Sequence, residues 1–128
     1  MKKILIATLV FGFLAFAGYA MAAGRPLQKK GQALAKKGAD LFATKGCTAC
    51  HTIGKGKLVG PDLKGVTKTM TTKWLKSWLK DTNQMLKTDK HAQQMEKEYG
   101  LPMPQQALTE EEINALIDYF KANDEVKK

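Results

Sequence analysis

Apolar residues fall along this chain in three arrangements, and each predicts a different element. The first is a single uninterrupted run. After Met1-Lys2-Lys3 no charged residue occurs from Ile4 through Ala23. Its densest part, Ile4–Ala17, is shorter than a typical bilayer span and gives way to Gly18, Tyr19 and the small-residue site Ala20-Met21-Ala22. Residues 1–22 therefore read as a cleavable secretory signal peptide. Kept in place, the same segment would serve as a membrane anchor.

The second arrangement is helical. In Gln28–Lys45, Leu34, Gly38, Leu41 and Phe42 stand at helix-like spacings among lysines. Behind a cap at Thr71 or Thr72, an apolar stripe of Trp74, Leu75, Trp78 and Leu79 runs beside a basic one of Lys73, Lys76 and Lys80. A shorter helix is predicted around His91–Tyr99, ending at Gly100. The clearest helix follows Thr109, which forms a capping box with Glu112 ahead of Ile113, Leu116, Ile117 and Phe120. Its acidic first turn suits the helix dipole. The third arrangement has no period. Glycine-rich Gly54–Leu63, broken by Pro61, and Leu101-Pro102-Met103-Pro104, where two prolines remove amide donors, both predict loops. The charged tail Asp124–Lys128 is expected to fray. Nothing reads as alternating strands, so the predicted class is all-α, with about four to five helices.

Without its leader the chain is residues 23–128, enough for one small domain. The formal charge of the whole is +9, and +7 once Lys2 and Lys3 are gone. Such a balance suits an acidic partner surface, an anionic membrane or nucleic acid, and does not choose among them. Discounting the leader, the apolar content is thin for a core of this size. A bound apolar group completing the core is therefore expected, with a poorly folded chain in its absence.

The chemistry is concentrated in Cys47-Thr48-Ala49-Cys50-His51, which holds both cysteines of the chain. Two thiols at this spacing can each add across a haem vinyl group, and the imidazole that follows can reach the iron, so the segment reads as a c-type haem attachment motif. One motif implies one haem. A thioredoxin-like redox pair would want a strand-to-helix junction. Structural zinc would want four ligands, which two cysteines and the distant His51 and His91 do not supply at zinc-finger spacing. A plain disulfide would leave His51 unexplained.

With these parts in this order, the chain resembles the class I c-type cytochromes over roughly Ala33 to Lys121. In that family a glycine and an aromatic on the N-terminal helix pack against an aromatic on the C-terminal helix. Gly38 and Phe42 match the first pair, and Leu116 with Tyr119 the answering surface. The resemblance implies haem c attached through Cys47 and Cys50, with His51 as one axial ligand and Met103, from the late loop, as the other. Met70, Met85 and Met95 compete for that role, Met95 most seriously, and His91 would instead give a bis-histidine haem. It also implies that the Pro61 carbonyl accepts from the His51 ring, and that Trp78, or else Trp74, donates its indole N–H to a haem propionate. The segment Asp81–Gly100 departs from the pattern in its length, so the resemblance assigns no subfamily.

A haem with both axial positions filled suits outer-sphere electron transfer, and a thioether ligand raises its potential. The resemblance thus implies a non-enzymatic, extracytoplasmic (periplasmic) electron carrier cycling between Fe(II) and Fe(III) among respiratory redox partners. Lys55, Lys57 and Lys64, then Lys73, Lys76 and Lys80, are candidates to steer it to acidic protein partners. No nucleic acid is expected, and membrane only through a partner or an uncleaved N-terminus. Three readings stay open beside it: a haem subunit of a larger redox complex, an open-site haem sensor or peroxidase, and a non-haem basic module whose cysteines form a disulfide.

Overall fold

The computed structural model describes residues 25–125, with side chains from Lys30 onward. The signal-peptide segment, residues 1–22, lies outside the described residues. Among those described there are six α-helices and one 3₁₀ turn: α1 (Arg25–Thr44), the turn (Cys47–Ala49), α2 (Val66–Thr69), α3 (Thr72–Lys80), α4 (Thr82–Thr88), α5 (Lys90–Tyr99) and α6 (Glu110–Glu125). That is more than the four to five expected. The additions are α2 and α4, each too short to show an apolar period of its own. No described helix is long and apolar enough to cross a membrane.

The frame is the crossing of α1 with α6. A Cβ placed on Gly38 would lie 2.1 Å from the Ala115 carbonyl oxygen and 2.6 Å from Tyr119 Cβ, so only a glycine lets the backbones meet this closely. One turn on, Phe42 packs against Tyr119 with ring centroids 5.8 Å apart and edge-on against Phe120 at 6.1 Å. Leu41, Phe42, Ile113, Leu116 and Ile117 are buried around this contact. The capping box forms in both directions: Glu112 N–H donates to Thr109 Oγ1 at 3.2 Å, and Thr109 N–H to Glu112 Oε2 at 2.8 Å.

Between these helices the chain folds as a series of capped short segments. Thr71, Asp81 and Asp89 cap α3, α4 and α5, their side chains accepting from the backbone N–H of Trp74, Gln84 and Ala92 at 3.1, 2.9 and 2.9 Å. Gly100, in the left-handed region at φ 73°, ends α5. The apolar stripe of α3 divides in two. Leu75 and Leu79 are buried in the core, whereas Trp74 and Trp78 are half-buried and face a cleft.

The frayed tail expected from Asp124 onward is corrected. Helix α6 continues through Glu125, and Asp124 is buried, accepting from the N–H groups of Gly65 and Thr67 and from the Thr67 hydroxyl. A charge run gives no sign of a partner 57 to 59 positions earlier in the chain.

Candidate haem-binding site

The cleft lies between the 3₁₀ turn with its following loop and the α3–α5 segment with the late loop, floored by Phe42, Leu116 and Phe120. With its open mouth included, the cleft takes in about 1160 Å³ of space not filled by atoms. Its walls are almost wholly apolar.

One wall is built on the attachment motif. Gly46, at φ 77°, turns the chain out of α1, and the 3₁₀ turn closes with Cys50 and His51 N–H both donating to the Cys47 carbonyl, at 3.1 and 2.9 Å. Cys47 and Cys50 thereby both line the cleft as free thiols. Burial pushes the Cys47 thiol above its ordinary range, the neighbouring Cys50 adding to this against a backbone hydrogen bond that lowers it. A thiol kept neutral in this way is slow to oxidise.

His51 Nδ1 stands 2.9 Å from the Pro61 carbonyl oxygen. A carbonyl only accepts, so Nδ1 carries the proton and Nε2 keeps the lone pair that a metal would take. Gly60 is the cradle of this ring, since a Cβ there would lie 2.6 Å from His51 Cε1. The supporting loop is knitted by Asp62, whose carboxylate accepts from Gly54, Gly56 and Lys64 N–H at 2.7, 2.6 and 2.9 Å. The hydrogen bond from Lys64 N–H leads in holding the Asp62 carboxyl below the usual carboxylate range, with those from Gly54 and Gly56 adding to it. Gly60 N–H donates to Cys50 O at 2.7 Å and Leu63 N–H to Thr52 O at 2.8 Å, which ties the loop back to the motif.

Met103, between Pro102 and Pro104, lines the same cleft. Trp78 Nε1–H donates to Met103 Sδ at 3.2 Å. The propionate role expected of Trp78 thus meets an N–H already engaged, while the buried Nε1 of Trp74 has no hydrogen-bond partner. Met70 and Met95 also line the cleft; Met85 does not. His91 is exposed, its ring edge against Trp74 at 5.4 Å. Gln105, which gave no signal in the sequence, anchors the methionine loop. Its Oε1 accepts from Asn83 N–H at 3.3 Å and its Nε2 donates to Lys80 O at 3.0 Å, gripping the junction of α3 and α4.

Two free thiols, an imidazole of fixed tautomer and an apolar slot that also holds a thioether match the donor set and shape that haem c requires. The fold and this site are those of a small c-type haem protein. The comparisons agree: the sequence profile described as "Cytochrome c" matches residues 35–124, and the chain belongs to the cytochrome c family. A cytochrome c from Rhodothermus marinus is similar at 34% identity and TM-score 0.70, over 73% of this chain and 79% of that one. An engineered form of the R. marinus protein matches at 30% and TM-score 0.70, over 84% and 89%. The cytochrome c domain of the pp3183 protein from Pseudomonas putida matches at 37% and TM-score 0.59, over 66% and 85%. No curated protein matches significantly by sequence. Haem c is bound in this family covalently through cysteine, here Cys47 and Cys50, and serves electron transfer.

Proposed function

We propose that the protein is an extracytoplasmic electron carrier whose iron is ligated by His51 and Met103. The observation that carries this reading is the presence in the lining of one apolar cleft of both an imidazole held at Nδ1 by Pro61 and a thioether held in a proline-braced loop. Bound there, haem supplies a one-electron Fe(II)/Fe(III) couple. The protein's part is to present two ligands, exclude water with apolar walls and hold the imidazole's orientation and tautomer through Pro61. With both positions filled, neither oxygen nor peroxide binds without displacing a side chain.

The mouth of the cleft supports a docking role. Val59 and Leu101 line it and, with Leu58, are among the exposed large apolar residues. Of the lysines expected to steer partners, Lys57 lies over the Tyr99 ring at 4.3 Å and Lys64 donates to the Asn123 carbonyl. Lys55, Lys73 and Lys80 are exposed. We assign the partners as acidic redox proteins, and secretion to the N-terminal segment, to be tested by the mass of the exported protein.

The deciding experiment is the visible and near-infrared spectrum of the purified holoprotein. A ferric charge-transfer band of methionine–iron ligation, lost in Met103→Ala, is expected. A band that survives in Met103→Ala but is lost in Met95→Ala would transfer the ligand role to Met95.

A further inference from the structure

Lys57 and Tyr99 belong to the two segments that bound the cleft, the loop after the attachment motif and the end of α5, and their side chains meet. Lys57 Nζ lies 4.3 Å from the centroid of the Tyr99 ring, within the range of a cation–π contact. Among the described residues this ammonium has no carboxylate partner, so the ring is what holds it. We propose that Lys57 and Tyr99 form a clasp between the two sides of the cleft that an acidic partner releases: a partner carboxylate takes the ammonium from the ring, and the two sides then part more readily. The proposal deepens the docking role described above and rests on its acidic partners, with haem seated in the cleft.

Each end of the clasp stands at the edge of a fixed part. On the loop, the Asp62 carboxylate accepts from Gly54 and Gly56 N–H at 2.7 and 2.6 Å, and the Thr52 hydroxyl donates to the Gly56 carbonyl. Lys57 is the first residue beyond that knot, and the exposed Leu58 and Val59 follow it. On the other side, Tyr99 is the last residue of α5, half-buried in the lining of the cleft, and Gly100 turns the chain away at φ 73°. Met103 comes four residues after Tyr99. Gln105 ties the methionine loop to the α3–α4 junction beyond Met103, and the clasp restrains the same loop from the side before it.

An exposed ammonium gains little from a ring, roughly a two- to fivefold bias toward the closed arrangement. A charge-assisted hydrogen bond to a carboxylate, shielded from water in a docked interface, is the stronger contact. One lysine cannot hold both at their best geometry. Docking of an acidic surface therefore draws Lys57 off Tyr99 and adds the freed ring to the apolar rim of Val59 and Leu101. Attraction of the partner and opening of the cleft are coupled in this way through one side chain.

The test is stopped-flow binding of imidazole to the ferric holoprotein at low ionic strength, since imidazole has to enter the cleft to reach the iron. Lys57→Gln and Tyr99→Leu should each bind it roughly two- to fivefold faster than the wild type, and the double variant no faster than either single one. Tyr99→Phe, which keeps the ring face, should behave as the wild type. Polyaspartate, the probe for an acidic surface, should speed the wild type to the rate of Lys57→Gln and leave Lys57→Gln unchanged. Wild-type rates in both single variants, or effects that add in the double, would overturn the clasp. If polyaspartate accelerates Lys57→Gln as much as the wild type, release by a partner is overturned. Should Tyr99→Leu fail to fold, the Lys57 ε-methylene proton shifts of the wild type decide the contact: upfield displacement by the ring supports it, and ordinary shifts overturn it. The comparison reads the same with or without the methionine band, so failure of the clasp and failure of Met103 ligation are told apart. The acidic-partner reading keeps its own test in the salt dependence of reaction with the partner.

Discussion

Asp124 shows how much one buried carboxylate can organise. Burial alone would raise its pKa, but the hydrogen bonds from Thr67 and Gly65 outweigh that and hold the group below the usual carboxylate range. A carboxylate depressed on folding contributes stability that is fully present above its unfolded pKa of about 3.9 and is lost as pH falls through the lower folded value. Asp124→Asn should therefore cost about 1–3 kcal/mol in urea denaturation at pH 7, since a neutral amide oxygen replaces two charged acceptors. Its stability should also vary less than that of the wild type on acidification below about pH 4. Equal stability of the two proteins at pH 7 would rule this role out. Cys47, Cys50 and His51 were legible in the sequence because covalent chemistry demands adjacent residues at one spacing. Asp124 was not, because its partners Gly65 and Thr67 become neighbours only when α6 is laid against α2. Gln105 was hidden for the same reason.

Among the elements, the α1–α6 crossing and α3 were readable. Thr109 with Glu112 and Thr71 with its stripe carry caps and apolar periods within a few residues of each other. Helices α2 and α4 are four and seven residues long and depend on tertiary anchors, namely Asp124 for α2 and the Gln105 side chain at the start of α4. Two glycines of α1 make a paired test. Gly38→Ala would drive a Cβ into the Ala115 carbonyl, so the helices must part, at a cost of about 1–3 kcal/mol or more. Gly31→Ala, with nothing within 4 Å of the new Cβ, should instead stabilise by about 0.5–1 kcal/mol through helix propensity alone. Thermal melts of the holoproteins should move in opposite directions. If both fell together, the close approach at Gly38 would not be what distinguishes them.

For the molecule as a whole, a lysine-rich surface with an apolar rim at the cleft mouth predicts that reaction with an acidic redox partner slows as salt is raised. Stopped-flow rates that do not depend on ionic strength would remove steering from the account. The core residues Phe42, Leu116 and Phe120 line the cleft, so the haem-free protein should lose a cooperative thermal transition. The sequence by itself determined the attachment chemistry, the all-α class, the capped helix ends and the proline-braced methionine loop. Each of these depends on residues close together in the chain and on local sterics, hydrogen bonding or apolar period. Only the tertiary structure decided that the Trp78 N–H goes to the Met103 sulfur, that Asp124 is buried and that Gln105 fastens the methionine loop. Those pairings join residues 22 to 59 positions apart, and no local rule selects among the many donors and acceptors a chain of this length offers.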